Sequence, residues 1–212
     1  MKELISSKCL ASKPEDFLDL DLIEHALKVN ISQKISQILK HAKESSDKVS
    51  KKDFINSKYS LDIVKASNAH IRYVTFWFFK KKVESDDIKC PGNKKILKNL
   101  CMLYGLFTLS NDCVSCYESG YFSTDVGLPF SELILQAIKI LNTEIRPKAI
   151  SIVESLNITD EVLQSAIGNS YGDIYETHLE WAKDSRLNKT KLGDAIPDGF
   201  MDHMMPILKA KM

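Results

Sequence analysis

A chain of 212 residues is long enough for one large domain or two small ones with a real hydrophobic core. Its 44% apolar content, 27% charged content and formal net charge of +1 are ordinary for a globular protein and give no reason to expect nucleic acid or an anionic membrane surface as a partner. Five irregularly spaced cysteines fit free thiols better than a disulfide framework, and no stretch approaches the ~20 apolar residues that span a bilayer.

The first residues, 1–14, form a lead-in without a strong period. Glu3 and the lack of an apolar run exclude a secretory signal. Ser12-Lys13-Pro14-Glu15 spells a capping box, with Pro in the first turn where its missing N–H costs little. A helix is expected from Glu15 to Glu44, because Phe17, Leu18, Leu22, Ala26, Val29, Ile31, Ile35, Ile38 and Leu39 recur at mostly helical spacing. Asn30 marks a candidate break. The polar stretch Ser45–Ser60 reads as an exposed connection. Asp62–Val83 combines a helical stripe (Ile63, Ala66, Ser67, His70, Val74, Trp77) with a β-prone aromatic run, Tyr73–Phe79. The stripe before that run is unbroken and no partner strand lies near, so helix is the reading.

Glu84–Gly92 has loop composition. Asn93–Glu118 is apolar on nearly every face, as expected of a helix central in a bundle. Ser119–Pro129, with Gly120, Gly127 and Pro129, is a second loop. Phe130–Leu156 keeps Ile134, Ala137, Ile138, Leu141, Ile145, Ala149, Ile152, Val153 and Leu156 in register, and Pro147 should bend it. Thr159 precedes Asp160 and Glu161 and should cap a short helix. Gly168–Asp173 is turn-prone. An amphipathic helix follows, with Ile174, Tyr175, His178, Leu179 and Ala182 on one face and Trp181 on its flank; Asp173 is the expected N-cap and Glu176 its capping-box partner. Gly193–Phe200 is a loop, and Met201–Lys211 a last short helix interrupted at Pro206. The sum is an all-α fold: an antiparallel helical bundle of about three long and three short helices.

No complete active site is spelled out. Cys113-Val-Ser-Cys116 has zinc-like local spacing, but a closed zinc site needs four ligands and no second pair is present, so these read as buried thiols. His70 lies on an apolar helical face and reads as a core histidine. His178 has Glu176 and Glu180 at i±2, which point away on a helix. Trp77, Phe78, Phe79, Tyr104, Phe107 and Trp181 read as core rather than as a ligand box. No catalytic residue and no metal ligand is assigned, and no cofactor-binding residue can be named. Phosphate-binding glycine motifs and a nucleophile elbow are absent.

Four blocks in order nevertheless resemble one family. They are Asp62-Ile63-Val64-Lys65-Ala66-Ser67-Asn68-Ala69-His70, Leu103-Tyr104-Gly105-Leu106, Ile145-Arg146-Pro147 with Ala149 and Val153, and Tyr175-Glu176 with Glu180-Trp181-Ala182-Lys183 and Leu187-Asn188-Lys189. Together they resemble the C-terminal helical domain of peroxisomal acyl-CoA oxidases, over residues 15–212. One departure is Ser170-Tyr171-Gly172, where the family has Tyr-Asp-Gly.

The resemblance implies a flavoprotein that removes two hydrogens from an acyl-CoA, using FAD and oxygen. It also implies that the catalytic glutamate and most flavin contacts lie in domains before the part matched here. This chain would then pack against those domains or a second subunit, and would not bind FAD alone. The alternative is a non-enzymatic helical module that pairs with a full-length relative. The ending Ala210-Lys211-Met212 resembles the peroxisomal address of small, basic and large apolar residues. It implies an import receptor as a further partner and the peroxisome as the location.

Overall fold

The computed structural model describes residues 2–45, 50–123, 129–169, 171–189 and 199–210. Among these no strand occurs, and the expected all-α architecture is found. The chain divides into two compact units, residues 1–149 and 150–212.

The first unit begins with α1 (Lys2–Ile5) and a 3-10 turn, Pro14–Phe17. It continues with α2 (Leu20–Ser45), α3 (Lys51–Asp53) running into a π turn at Phe54–Lys58, α4 (Ser60–Glu84), α5 (Pro91–Asn111), α6 (Val114–Glu118) and α7 (Phe130–Ile145). The lead-in is tied to this unit. Cys9 and Ala11 are buried, and the Cys9 N–H donates to the Tyr121 carbonyl at 2.9 Å.

The expected Glu15–Glu44 helix starts later, at Leu20, because Leu18 leaves helical geometry at φ −84°, ψ 37°. The carboxylate that closes the preceding turn is Asp16, not Glu15. It accepts from the Ser12 N–H at 2.9 Å and the Lys13 N–H at 3.1 Å. No break occurs at Asn30. Its amide is buried and donates to the Asp112 carbonyl at 2.8 Å, so it does not compete for its own backbone.

Helix α4 confirms helix over strand for the aromatic run, but its buried face is turned by about one residue from the stripe read in sequence. Ala66, Ala69, Phe76 and Val83 are buried, with Tyr73 partly so, while Ser67 and His70 are exposed. The single helix expected over Asn93–Glu118 is two. Asp112, at φ −152° and ψ 71°, ends α5, and its carboxylate is held by Lys34 at 2.9 Å. Phe130–Leu156 is likewise divided, because Pro147 falls in a 3-10 turn, Arg146–Lys148, instead of bending a continuous helix.

The core of this unit is built on Phe17, Ile23, Leu27, Phe76, Leu106, Leu109, Phe122, Phe130, Leu133, Ile134 and Leu141. Phe122 and Phe130 stack at 4.8 Å, and Phe17 meets both edge-on at 6.4 and 6.2 Å. The six aromatics singled out in sequence are not this core. Phe78, Phe107 and Trp181 are exposed, and Trp77, Phe79 and Tyr104 only half-buried. Helices α2 and α4 are locked by charge as well. Lys80 is buried and donates to the Asp21 carboxylate and, at 2.6 Å, to Glu24, which also pairs with Lys28 at 2.5 Å.

The second unit carries α8 (Ala149–Glu154), α9 (Asp160–Leu163), α10 (Ile174–Asp184), α11 (Arg186–Lys189), a π turn at Phe200–Met204 and α12 (Met205–Lys209). Thr159 holds the N-cap position of α9, but its side chain makes no capping bond. Pro206 sits in the first turn of α12 and does not interrupt it. Of the expected Gly193–Phe200 loop only Gly199 and Phe200 are described, and residues 124–128 of the Ser119–Pro129 loop lie outside the described residues.

Candidate functional site

A cleft of about 510 Å³ opens on the first unit between α2, α4 and the α5–α6 corner. Its α2 wall carries Lys34, Gln37, Ile38 and His41, and its α4 wall Asp62, Lys65, Asn68, Ala69 and Arg72. The α2 set follows i, i+3, i+4, i+7 spacing, as do Lys65, Asn68, Ala69 and Arg72 with Asp62 three residues earlier, which puts each set on one helix face. Asp112, Val114, Ser115 and Glu118 close the third side.

Two of the carboxylates are already used. Asp112 pairs with Lys34, and Glu118 accepts from the Gln37 amide at 2.9 Å. Ser115 is only 3% exposed, and its hydroxyl makes no hydrogen bond among the described residues. The Nδ1 of His41 is buried without a hydrogen-bond partner among the described residues, although its ring stacks on Tyr59 at 5.0 Å. Lys65, Asn68 and Arg72 are exposed and their side chains have no partner among the described residues.

The residues marked in sequence are not gathered here. Cys116 is fully buried and Cys113 half-buried, and burial raises both thiol pKa values, the reverse of what a thiolate ligand needs. Burial, helped by the charge of Glu84, pushes the Cys101 thiol up to about 12. Among the described residues no three His, Cys, Asp or Glu side chains are placed to hold a metal ion. His70 is exposed on α4, 6.5 Å from the Tyr73 ring, and not a core histidine. His178 packs edge-on against Trp181 at 5.9 Å.

The turn before α10 is braced by Asn169. Its amide donates to Asp173 Oδ1 at 2.6 Å and Thr177 Oγ1 at 3.1 Å, and its Oδ1 accepts from the Tyr171 N–H at 2.7 Å. Asp173 precedes α10 as expected, but its carboxylate is engaged by these partners and does not cap. Nor does Glu176 close a capping box. Gly172 takes the left-handed φ of 77° that the turn requires. The apolar face of α10 is not buried: Tyr175 is 85% and Trp181 48% exposed. Ser170, the departure from the resembled pattern, lies outside the described residues. At the tail, Ala210 is exposed beyond α12, and Lys211 and Met212 lie outside the described residues.

A model of the acyl-CoA oxidase family matches residues 19–209. The chain belongs to the acyl-CoA oxidase family. It is 29% identical over 192 residues to peroxisomal acyl-coenzyme A oxidase 1 of Mus musculus, covering 91% of this chain and 28% of the mouse protein. The solved structure of Arabidopsis thaliana acyl-CoA oxidase 1 superposes with a TM-score of 0.81 at 26% identity, covering 99% of this chain and 30% of that one. Caenorhabditis elegans acyl-CoA oxidase-1, solved in complex with FAD and ATP, superposes at 0.76 over 91% of this chain and 28% of that one; at 21% identity it shares the fold. The chain thus spans under a third of the length of these acyl-CoA oxidases.

The four resembling blocks take definite places. Asp62–His70 supplies the α4 wall of the cleft apart from Arg72. Leu103–Leu106 carries Gly105, where α5 meets α2 and α4. Ile145-Arg146-Pro147 forms the end of α7 and the 3-10 turn after it, and the last block forms α10 and α11. Lys34, Lys65, Arg72 and Ser115 were not singled out in sequence as site residues. Their signal was the polar row continuing each apolar helix stripe, which alone is indistinguishable from a solvated face.

Proposed function

We propose that this chain is the C-terminal helical part of a flavin-dependent peroxisomal acyl-CoA oxidase. The whole enzyme converts acyl-CoA and oxygen to trans-2-enoyl-CoA and hydrogen peroxide, the first step of peroxisomal fatty-acid β-oxidation. Residues 15–212 act as one such domain, and its task is packing and subunit association rather than chemistry. The observation that carries this is the family match over residues 19–209, combined with a span under a third of the relatives' length.

FAD, when bound to the whole enzyme, accepts the hydride. The residues described here do not suit its ring system. The cleft is charged on all three walls and offers no aromatic plane beyond the His41 imidazole. No step of the oxidation is therefore routed through this chain. Its contribution is the exposed aromatic and aliphatic side chains of the second unit, Tyr171, Tyr175, Leu179 and Trp181 among them, as docking surface for the catalytic domains or a second subunit. The tail Ala210-Lys211-Met212 is the address read by an import receptor. A helical module without an enzymatic partner is less favoured, because the proteins this chain resembles are acyl-CoA oxidases.

Two preparations test the proposal. The 212-residue chain alone should be colourless and release no peroxide with palmitoyl-CoA. Co-expressed with the flavin-binding part of an acyl-CoA oxidase, it should be recovered in a yellow complex. Flavin bound to the lone chain overturns the division of labour, and failure to form the complex overturns the domain reading.

A further inference from the structure

We propose that the outward face of α4 is a seam for a second helix, and that its occupant is an amphipathic helix with acidic flanks from the flavin-binding part of the oxidase. The choice of occupant rests on reading the chain as the C-terminal part of such an enzyme. Leu61, Val64, Asn68, Ile71, Thr75 and Phe78 are all exposed and follow one another at intervals of 3, 4, 3, 4 and 3 residues. That alternation is the a/d pattern of a helix–helix seam, and at 1.5 Å per residue it runs for about 25 Å. Leu61, Val64, Ile71 and Phe78 are each more than half exposed. The row ends at Lys82, the next a position, which pairs with Asp87.

This seam is not the face that α4 turns to its own bundle. Ala66 and Lys80 are buried and Tyr73 partly so, and these are the f positions, on the opposite side of the helix from a and d. A helix with apolar rows on two opposite sides is suited to a neighbour on each. The two polar seam positions fit a helix better than a bilayer. The Thr75 hydroxyl donates to the Ile71 carbonyl at 3.0 Å and leaves its methyl for packing. The Asn68 amide has no partner among the described residues. In hydrocarbon it would stay unpaired, whereas in a helix seam an Asn at an a position sets the register.

Charge selects the kind of helix. The flanking e and g positions carry Lys65, Arg72 and Lys81 and no carboxylate. Asp62 lines the cleft from a b position, and Asp112 and Glu118 stand on its far side, where they accept from Lys34 and Gln37. Two copies of α4 laid antiparallel would set Lys65 and Arg72 against each other. Laid parallel, they would set these cations against Ser60 and Ser67. Neither arrangement neutralises them, and a helix with Glu or Asp on its flanks does. Most of the length of the matched acyl-CoA oxidases lies outside this chain and can supply that helix.

The face is tested on the 212-residue chain with two synthetic three-heptad peptides. Both have Ile at a, Leu at d and one central Asn at a; one has Glu and the other Lys at every e and g. Calorimetry should show saturable binding of the Glu-flanked peptide and none of the Lys-flanked one. Ile71→Asp should abolish it, and since Ile71 is exposed the fold should persist, which circular dichroism checks. Lys65→Glu with Arg72→Glu should weaken it about tenfold. Leu10→Asp, at an exposed apolar residue outside α4, should change nothing. No saturable binding of the Glu-flanked peptide, or equal binding of both peptides, overturns the seam. The occupant is tested by co-expression with the flavin-binding part of an acyl-CoA oxidase, where Ile71→Asp should cut recovery of the yellow complex about tenfold. A complex that survives Ile71→Asp overturns this occupant and leaves the domain reading in place. No complex even with the parent chain overturns the domain reading and the occupant with it. A dimer of the chain, or retention on phosphatidylserine vesicles, that is lost with Ile71→Asp gives the face to a second copy or to lipid and likewise overturns the proposal.

Discussion

Gly105 on α5 faces the Phe76 ring of α4 so closely that a Cβ on Gly105 would lie 2.7 Å from Phe76 Cε2, and it would also overlap the Ile23 methyl of α2. Three helices therefore meet at a position where only glycine fits. Phe76, Ile23 and Leu106 around it are fully buried and have no room to yield.

Gly105→Ala should consequently destabilise the chain by up to about 2 kcal/mol net, from an overpacking cost of roughly 1–3 kcal/mol. The overpacking cost outweighs the roughly 1 kcal/mol that alanine gains over glycine inside a helix. Urea unfolding followed by circular dichroism checks it, and a variant as stable as the parent would mean that α5 does not approach this closely.

Lys80→Met should cost about 2 kcal/mol at neutral pH, because Asp21 and Glu24 lose their shared cation while Glu24 keeps Lys28. The pH dependence has two limbs. Burial opposes charging of Glu24, but hydrogen bonds from Lys28 and Lys80 outweigh it and lower its pKa, so its stabilisation is present above the unfolded carboxylate pKa and is lost as pH falls through the folded value. Burial likewise opposes charging of Lys80, and hydrogen bonds to Asp21 and Glu24 reverse this and raise its pKa. Its stabilisation is full below the unfolded lysine value and is lost as pH rises through the folded one. The parent should exceed the variant most between about pH 5 and 10. Paired urea titrations across that range test it, and a pH-independent difference would refute it.

Asn169→Ala should loosen the turn before α10 by about 1 kcal/mol, since it removes two donors and one acceptor from Asp173, Thr177 and Tyr171. Hydrogen exchange at the Tyr171 and Gly172 amides should accelerate about fivefold, with the first unit's amides unchanged.

Trp181→Ala should move the urea midpoint of the chain by less than about 1 kcal/mol, because the ring is half-exposed and forfeits little packing. A core position would have cost roughly 3–5 kcal/mol. The same exposed surface should make the chain self-associate, as light scattering at rising concentration would detect. A larger stability loss, or a strict monomer, would contradict this picture of α10.

A fluorescent protein carrying the last dozen residues should appear in punctate peroxisomes, and removal of Met212 should return it to the cytosol. Diffuse fluorescence from the intact tail would defeat the proposed address while leaving the fold unaffected.

The sequence by itself determined that the chain is helical, where most long helices lie and which family it resembles. Those follow from local periodicity: Phe130, Leu133, Ile134, Ala137 and Leu141 on α7 announce their face because the period alone selects it. Turn chemistry was legible in position but not in partner, as when Asp16 took the role assigned to Glu15, and when Asp173 stood at the start of α10 without capping it. What only the tertiary structure decided depends on groups far apart in the chain. The break at Asp112 is accompanied by Lys34 and Asn30 from α2, the rotated face of α4 is set by Lys80 reaching Asp21 and Glu24, and the cleft exists because polar rows on two antiparallel helices face each other. A helix whose apolar and aromatic residues spread beyond one narrow stripe, as on α4, leaves its buried side undetermined until a neighbour covers one face, and that neighbour is not written in the stripe.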